Sequence, residues 1–298
     1  DESDKTFLAL PSDISVVTNI DDDHMENYGT MKNVEQSFLN FANNINEGGY
    51  FLYFKDNPIA SKVFSHSKSN NIISYGTDKH SDVVIKNIEK LPFGHNFELS
   101  GFMNEKKYNL KLQINRPGIY NVWNSAAAVL IGLLHGIAEE KIIYQLAKYR
   151  GVYRRFSSII EKSGIRYYDD YAHHPTEIKV VLDGVKSVYR DYEKICIFQP
   201  HRISRLKDLK QEFTNAFKDA DKVILFPIYT AGEKIKLGFS YSNFAKKIIE
   251  NSKVKLFLVE DKFQLAKYIK NNIYGKKIVI GMGAGTISTW MKQLPELL

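Results

Sequence analysis

The second half of the chain alternates short apolar runs with segments whose apolar residues recur every three or four positions. The recurring residues after Pro175 are Ile178, Val181, Leu182 and Val185, and those after His201 are Leu206, Leu209, Phe213 and Phe217. This spacing places each set on one side of a predicted helix. The apolar runs predict strands over residues 165–168, 194–198, 222–227, 254–259 and 277–280. Such strands between amphipathic helices predict an α/β fold with a mostly parallel sheet covered by helices on both faces.

The first half also contains predicted strands and helices, but they follow one another in a different order. A β-branched run over residues 14–20 predicts a buried strand, and an acidic segment over 21–24 follows it. Further predicted elements are a helix over 31–44, strands over 50–54, 83–88, 97–102 and 108–114, a helix after Pro117-Gly118 and a helix over 139–149. The pattern changes near Gly151, so we predict one domain over residues 1–151 and a second over residues 152–298.

The composition is that of a globular protein, since 44% of the 298 residues are hydrophobic and 25% are charged. No apolar run reaches the roughly 18 to 20 residues that cross a bilayer, so no membrane association is predicted. The single cysteine, Cys196, is compatible with a reducing cytoplasm. The formal charge of +7 comes from scattered lysines that are not interleaved with aromatic residues. We therefore predict a basic site for a phosphate-rich small molecule and no nucleic-acid partner, and we predict no particular oligomeric state.

Polar segments follow four of the predicted strands directly, over residues 169–175, 199–205, 230–233 and 281–285. In open α/β sheets the carboxyl ends of parallel strands lie at one edge, and ligands bind outside that edge. We therefore expect the histidines, arginines and acids of these segments to gather along a single rim.

The first of these segments carries two adjacent histidines, His173 and His174. A histidine here could move a proton near neutral pH, and Asp170 could accept hydrogen bonds from a ribose or an amine. An acidic helix cap would account for Asp170 alone, but it would not explain both histidines. Zinc is a further alternative, although adjacent histidines rarely ligate one ion and no cysteine lies nearby.

The second segment contains Arg202 and Arg205, which would share one face at the start of a helix. Two guanidinium groups in that position could bind a carboxylate or a phosphate. The alternative is a solvated basic turn whose arginines pair with acids such as Asp208. Because cations oppose the dipole at a helix amino terminus, stability alone does not explain them, and we predict an anion site.

Four other residues each have a functional and a purely structural interpretation. Arg155 could contact a phosphate or form a surface ion pair. Asn121 and Asn124 lie off the apolar stripe of their predicted helix and could bind a purine base or simply face water. His24, after three aspartates, could hold Mg²⁺ beside phosphates or belong to an acidic loop.

Seven segments together carry a resemblance that covers essentially the whole chain. They are 18–25, Pro117-Gly118 with Asn121 and Asn124, 151–156, 169–178, 199–205, 231–233 and 281–285. In this order they resemble the Mur ligases, and within that family the enzymes that join L-alanine to UDP-N-acetylmuramate. The sequence Asp-Asp-Tyr-Ala-His-His-Pro-Thr-Glu-Ile is highly specific, and His-Arg-x-x-Arg separates this group from the murein-peptide ligase and the later Mur enzymes.

The resemblance implies part of the central ATPase domain of a Mur ligase, followed by a Rossmann-like carboxy-terminal domain. It implies a cytoplasmic enzyme of peptidoglycan precursor synthesis that uses ATP and Mg²⁺. In the family, ATP phosphorylates the lactyl carboxylate of UDP-N-acetylmuramate, the amine of L-alanine attacks the acyl phosphate, and phosphate leaves.

The family's site residues carry over onto matching positions of this chain. His24 is the expected Mg²⁺ ligand, and Arg155 is the expected contact of the ATP phosphates. The expected nucleotide contacts are Asn121, Asn124, Asp170 and Tyr171, and the expected alanine and acyl-phosphate site is His173, His201, Arg202 and Arg205.

The chain departs from the family pattern in two places. Tyr120 stands where the family usually has histidine, although a phenol can still donate a hydrogen bond. No Gly-x-x-Gly-Lys-Ser/Thr phosphate loop occurs in the sequence, and Glu2 lies near a metal-binding glutamate of the family without clearly matching it. We therefore expect an amino-terminally truncated ligase, inactive as residues 1–298 alone. The alternatives are a non-catalytic nucleotide-binding remnant and another Mur-type amide ligase.

Overall fold

The computed structural model describes residues 2–65, 67, 71–233 and 240–298. The chain divides into two compact units, Asp1–Tyr149 and Arg150–Leu298. The sequence placed the change of domain after residue 151. In the described part of the chain, no helix combines the length and the apolar character that crossing a membrane requires.

The first unit contains a six-stranded sheet whose strands lie side by side in chain order. The strands are β1 (Ser12–Val17), β2 (Ile45–Phe54), β3 (Ile72–Gly76), β4 (Val83–Leu91), β5 (Gly94–Met103) and β6 (Lys106–Ile114). The helices are α1 (Met25–Tyr28), α2 (Met31–Asn43), α3 (Pro58–Phe64), α4 (Tyr120–Leu134) and α5 (Glu139–Lys148). The pairings from β1 to β4 are parallel, whereas β4, β5 and β6 form an antiparallel meander.

Both faces of this sheet are covered, because the side chains of β2 alternate between two apolar clusters. Phe51 and Tyr53 lie in the cluster that includes residues of α2 and α3. Leu52 and Phe54 lie in the cluster that includes residues of α4. Full burial of each such side chain contributes about 2 kcal/mol, so this alternation fixes the register of the strand.

The second unit contains a sheet of order β11-β10-β9-β12-β8-β7. The strands are β7 (Ser157–Lys162), β8 (Ile165–Asp170), β9 (Glu193–Phe198), β10 (Lys222–Leu225), β11 (Lys255–Leu258) and β12 (Lys277–Met282). The helices are α6 (Pro175–Val188), α7 (Ile203–Asp208), α8 (Lys210–Thr214), α9 (Tyr241–Ser252), α10 (Lys262–Asn272) and α11 (Ile287–Leu297). The pairings are parallel except for edge strand β7, which runs antiparallel to β8.

The prediction of a mostly parallel sheet with helices on both faces is confirmed. Along β9, Cys196 and Phe198 pack with α6, α8 and α9 on one face. Ile195 and Ile197 pack on the other face with α10 and α11. The buried strands place the segments that follow them at one edge, which is the arrangement on which the site depends.

The prediction of one continuous helix after His201 is wrong, because two short helices, α7 and α8, follow this residue. Helix α7 ends before Leu209, whose φ of −109° and ψ of 30° depart from helical values, and α8 begins after it. Arg202 precedes α7 with φ 68° and ψ 136°, so it does not share a helix face with Arg205. Left-handed φ values cost a non-glycine residue about 1–3 kcal/mol unless surrounding contacts enforce them.

Candidate functional site

The structure brings the polar segments after β8, β9, β10 and β12 together at the carboxyl edge of the second sheet. The ring centroids of His173 and His201 are 5.9 Å apart. The His201 ring stacks on Tyr229, at 5.5 Å between centroids and 13° between planes. Arg154 Nη2 donates to the carbonyl oxygen of Gly283 at 2.8 Å. We call this set of segments the rim.

Asp170, at the end of β8, is buried and bonds to backbone groups. Its Oδ2 accepts from Phe156 N and its Oδ1 accepts from Ala172 N, each at 2.8 Å. Burial raises the pKa of this carboxyl to about 6. The observed role of Asp170 is to join the segment before β7 to the segment after β8, and its contact with a nucleotide remains a prediction.

The two adjacent histidines have different surroundings. His174 caps α6, since its Nδ1 accepts from Thr176 N at 3.3 Å. His173 Nδ1 lies 3.0 Å from Tyr171 O and 3.3 Å from Glu177 Oε2, and its ring turns towards His201. Helix capping therefore accounts for His174, while His173 belongs to the rim.

Arg155 and Tyr171 lie together beside the first turn of α6. Arg155 Nη1 is 3.4 Å from Glu177 Oε1, with the arginine side chain 55% exposed. The ion pair that the sequence offered as an alternative therefore exists. The guanidinium carbons of Arg154 and Arg155 lie 4.5 and 5.9 Å from the centroid of the Tyr171 ring. Arg154 was not among the predicted site residues, because its role depends on Gly283, far along the chain.

Glu233, after β10, fixes the start of α7. Its Oε2 accepts from Ile203 N at 2.6 Å and from Ser204 N at 3.1 Å, and its Oε1 accepts from Ser204 Oγ at 2.6 Å. Partial burial acts to raise the pKa of Glu233, but the bonds from Ser204 and Ile203 outweigh it and the pKa is lowered. The backbone N–H of Arg202 donates to Tyr229 O at 2.9 Å. These bonds hold Arg202 in its left-handed conformation.

Within the rim, His201 lies near cationic side chains. Burial, together with the nearby charges of His173, Arg205 and Arg202, lowers the pKa of His201 to about 4, so this ring is neutral at pH 7. Arg205 itself is buried, with 9% of its surface exposed. Buried or half-buried guanidinium groups form strong charge-assisted bonds, and the rim is therefore suited to a small anion such as a carboxylate or a phosphate.

The glycines after β12 allow close packing against Gln199. Gly283 has φ 146°, and a Cβ there would lie 2.8 Å from Gln199 O. A Cβ on Gly285 would lie 2.6 Å from Gln199 Oε1. Gln199 in turn accepts from Ile287 N at 3.0 Å and donates to Thr286 Oγ1 at 2.9 Å. Sequence reasoning placed Gln199 at the start of the segment after β9 but gave it no role, because its contacts are with residues far along the chain.

In the first unit, His24 lies after β1 beside two carboxylates. Its Nε2 is 3.8 Å from Glu2 Oε1 and 3.6 Å from Asp23 Oδ2. Within residues 2–65, 67, 71–233 and 240–298, no three His, Cys, Asp or Glu side chains form a group that could hold a metal ion. The arrangement fits at most a Mg²⁺ bound chiefly by phosphate oxygens and water, with His24 as a protein ligand.

The two asparagines of α4 differ in exposure. Asn121 is half-buried, and its Nδ2 donates to Pro117 O at 2.6 Å. Asn124 is exposed, one turn further along the helix. The Tyr120 ring lies against Gly118, which has φ 92° and where a Cβ would collide with the ring. This helix start is locally ordered, and its contact with a purine remains a prediction.

These features define a two-unit α/β protein whose second unit carries histidines and arginines at the carboxyl edge of a mostly parallel sheet. Family comparison matches residues 2–132 to the Mur ligase middle domain and residues 154–285 to the Mur ligase glutamate ligase domain. The chain belongs to the Mur ligase family.

Individual relatives are UDP-N-acetylmuramate–L-alanine ligases. The chain is 52% identical to the one from Pelagibacter ubique, over 100% of this chain and 65% of the relative. It is 35% identical to the one from Caulobacter vibrioides, over 100% of this chain and 63% of the relative. The solved UDP-N-acetylmuramate–alanine ligase of Thermotoga maritima matches with a TM-score of 0.76 at 25% identity, over 99% of this chain and 62% of that chain. The chain thus spans less than two thirds of the length of these relatives.

Proposed function

We propose that the protein carrying this chain is a cytoplasmic ATP-dependent ligase that joins L-alanine to UDP-N-acetylmuramate in peptidoglycan precursor synthesis. The observation that carries this proposal is the rim, where the His-Arg-x-x-Arg segment after β9 meets the Asp-Asp-Tyr-Ala-His-His segment after β8. The 52% identity to a ligase of that name supports the choice of substrates.

The chemistry requires a site for an amino acid and for an acyl phosphate. Arg202 and Arg205 would bind the carboxylate of L-alanine or the acyl phosphate through charge-assisted bonds. His201, neutral at pH 7, would accept a proton from the alanine amine as the amine attacks the acyl carbon. The bond from that carbon to the phosphate oxygen then breaks, and inorganic phosphate leaves.

The nucleotide part of the proposal assigns roles to six residues. Arg155 would meet the ATP phosphates, with Asp170 and Tyr171 beside it, and Asn121 and Asn124 would contact the nucleotide. His24 would ligate Mg²⁺, which supplies charge neutralisation at the phosphates when it is bound. Each of these roles is part of the proposal.

The test is an assay of the protein that carries this chain with ATP, Mg²⁺, UDP-N-acetylmuramate and L-alanine. We expect phosphate release that needs all three substrates, and a product heavier than UDP-N-acetylmuramate by one alanyl residue in mass spectrometry. Arg202→Ala should lower the rate strongly, whereas Arg190→Ala, an exposed arginine before β9 at the opposite edge of the sheet, should not.

Two outcomes would overturn this proposal. ATP binding without any turnover would support a non-catalytic nucleotide-binding role instead. Turnover with a different amino acid, and none with L-alanine, would identify another Mur-type amide ligase.

A further inference from the structure

Glu177 lies in the first turn of α6 and contacts two of the candidate site residues through one carboxylate. Its Oε2 lies 3.3 Å from His173 Nδ1, and its Oε1 lies 3.4 Å from Arg155 Nη1. His173 comes from the segment after β8, whereas Arg155 comes from the segment before β7. The carboxylate therefore links the candidate acyl-phosphate site to the candidate ATP-phosphate contact.

Helix capping explains only part of this arrangement. Glu177 Oε2 accepts from His173 N at 2.9 Å and from His174 N at 3.2 Å, as expected for the third residue of a capping box. Capping needs one oxygen acceptor and no net charge, so glutamine would serve equally well. It accounts neither for the guanidinium at Oε1 nor for the imidazole nitrogen beside Oε2.

We propose that Glu177 is a positioning residue that orients the His173 ring and the Arg155 guanidinium and favours a positive charge on His173. The two histidines of the rim then have different tasks. His201 is kept neutral by burial and by surrounding cations, whereas His173 has a carboxylate beside it. The catalytic consequence of the Glu177 contacts rests on the proposed function, but the contacts themselves do not.

The charges that face His173 come from several elements. Glu177 on α6 favours the charged ring, and Arg155, before β7, competes for the same carboxylate. The His201 ring, after β9, faces His173 at 5.9 Å between centroids, and Arg205 is a cation near His201. The pKa of Glu177 is raised by burial but lowered further by His173 and Arg155, so that it lies below its ordinary value and the carboxylate is ionised at neutral pH.

The direct test is an NMR titration of the His173 ring in residues 1–298, with its signal assigned by its loss in His173→Gln. Glu177→Gln keeps the capping acceptor and removes the charge. We expect it to lower the pKa of His173 by about one unit, since a neighbouring carboxylate typically stabilises the imidazolium by that much or more. The matched control is Glu212→Gln, an exposed glutamate on α8, which should leave that pKa unchanged.

A second variant tests the same contact with the opposite sign. Arg155→Ala leaves the cap of α6 intact and removes a cation that competes for Glu177, so the pKa of His173 should rise. If neither Glu177→Gln nor Arg155→Ala moves the titration beyond the Glu212→Gln control, Glu177 is a helix cap and the proposal fails.

The catalytic readout uses the protein that carries this chain. Glu177→Gln should lower kcat/KM for L-alanine by about 10- to 100-fold, in the range that loss of orientation costs. It should also move the pH profile in the direction of the His173 shift. An unchanged kcat/KM would overturn the catalytic role. Absence of ligation in the wild type would instead refute the proposed function, and the NMR result would stand independently.

Discussion

The two units differ in how their candidate residues are held. In Arg150–Leu298, the contacts join segments far apart in the chain, as between Arg154 and Gly283 or between Ser204 and Glu233. In Asp1–Tyr149, Asn121 bonds to Pro117 within the same turn, and His24 N bonds to the neighbouring Asp23. The rim is therefore preorganised by the fold. We expect substitutions there to alter stability as well as binding, and substitutions of the first unit's candidates to alter binding mainly.

The largest effect should come from Asp170→Ala in the rim. This change leaves two buried N–H donors without their acceptor, so we expect a loss of about 3 kcal/mol in unfolding free energy. Urea unfolding followed by Trp290 fluorescence in a Trp123→Phe background reports on the second unit alone, since these are the two tryptophans of the chain. Asp170→Asn keeps one acceptor oxygen and should lose less. A loss below about 1 kcal/mol for alanine would show that the rim is not preorganised through this residue.

Next in size is the effect of Arg205→Ala on ligation. If Arg205 binds the carboxylate of L-alanine, its loss should raise the KM for L-alanine about 10- to 100-fold, as expected for one charge-assisted bond. The KM for ATP should change far less. Steady-state kinetics with each substrate varied in turn measures both values. Equal increases would remove the role assigned to Arg205, and an unfolding curve of the variant separates a binding effect from a loss of fold.

A smaller effect is expected in the pH dependence of the unfolding free energy, to which His201 in the rim contributes. His201 stays neutral in the folded state down to a pKa of about 4, whereas the unfolded chain binds that proton near its ordinary value of about 6.5. The unfolded state therefore takes up more protons between these values, and stability falls as pH falls through this window. Asp170, whose pKa is raised by burial, acts in the opposite direction in part of the same window.

Comparison with His201→Gln removes the Asp170 contribution, because that residue is present in both proteins. We expect the wild type to lose about 1 kcal/mol more than the variant between pH 7 and pH 5, after allowance for solvent screening of this half-exposed ring. Urea unfolding at the two pH values measures the difference. Parallel losses in both proteins would contradict the assigned protonation state of His201.

The smallest stability effect should follow Asn124→Ala on α4. Because this side chain is exposed, the change in unfolding free energy should stay within about 0.5 kcal/mol. If Asn124 contacts the nucleotide, ATP affinity should still fall several-fold, by an amount typical of one hydrogen bond. Calorimetric titration with ATP checks this, with Asn40→Ala on α2 as the exposed control. Unchanged ATP affinity would remove Asn124 from the site.

Much of the architecture could be predicted from periodicity, because buried strands and amphipathic helices have sequence patterns of their own. The strands β8, β9, β10 and β12 and the helix α6 were found in this way. The short strands β3 and β7 were missed, and so were α1, α3, α9 and α10. Strand β7 in particular carries Ser157, Ser158, Glu161 and Lys162, so no apolar run marks it, and it is specified by its antiparallel pairing with β8.

The sequence predicted which residues belong to the candidate site, but it did not predict which of them contact one another. Residue types and spacing singled out His173, His201 and Arg205, because these groups carry charge or protons. Glu177 and Glu233 lay within the named segments but were given no role, because the local sequence does not show which distant groups a glutamate contacts. Only the packed structure shows that one of them contacts His173 and Arg155, and that the other holds the segment after His201.

The sequence by itself determined the fold class and the chemical character of the loops at the carboxyl edge, because these depend on local periodicity and residue type. The tertiary structure alone decided which groups meet. A parallel sheet brings Arg154 to Gly283 and Glu233 to Ser204 across long stretches of chain, and it enforces the left-handed backbone of Arg202. Contacts between distant segments depend on the packing of the whole unit, and no local pattern encodes them.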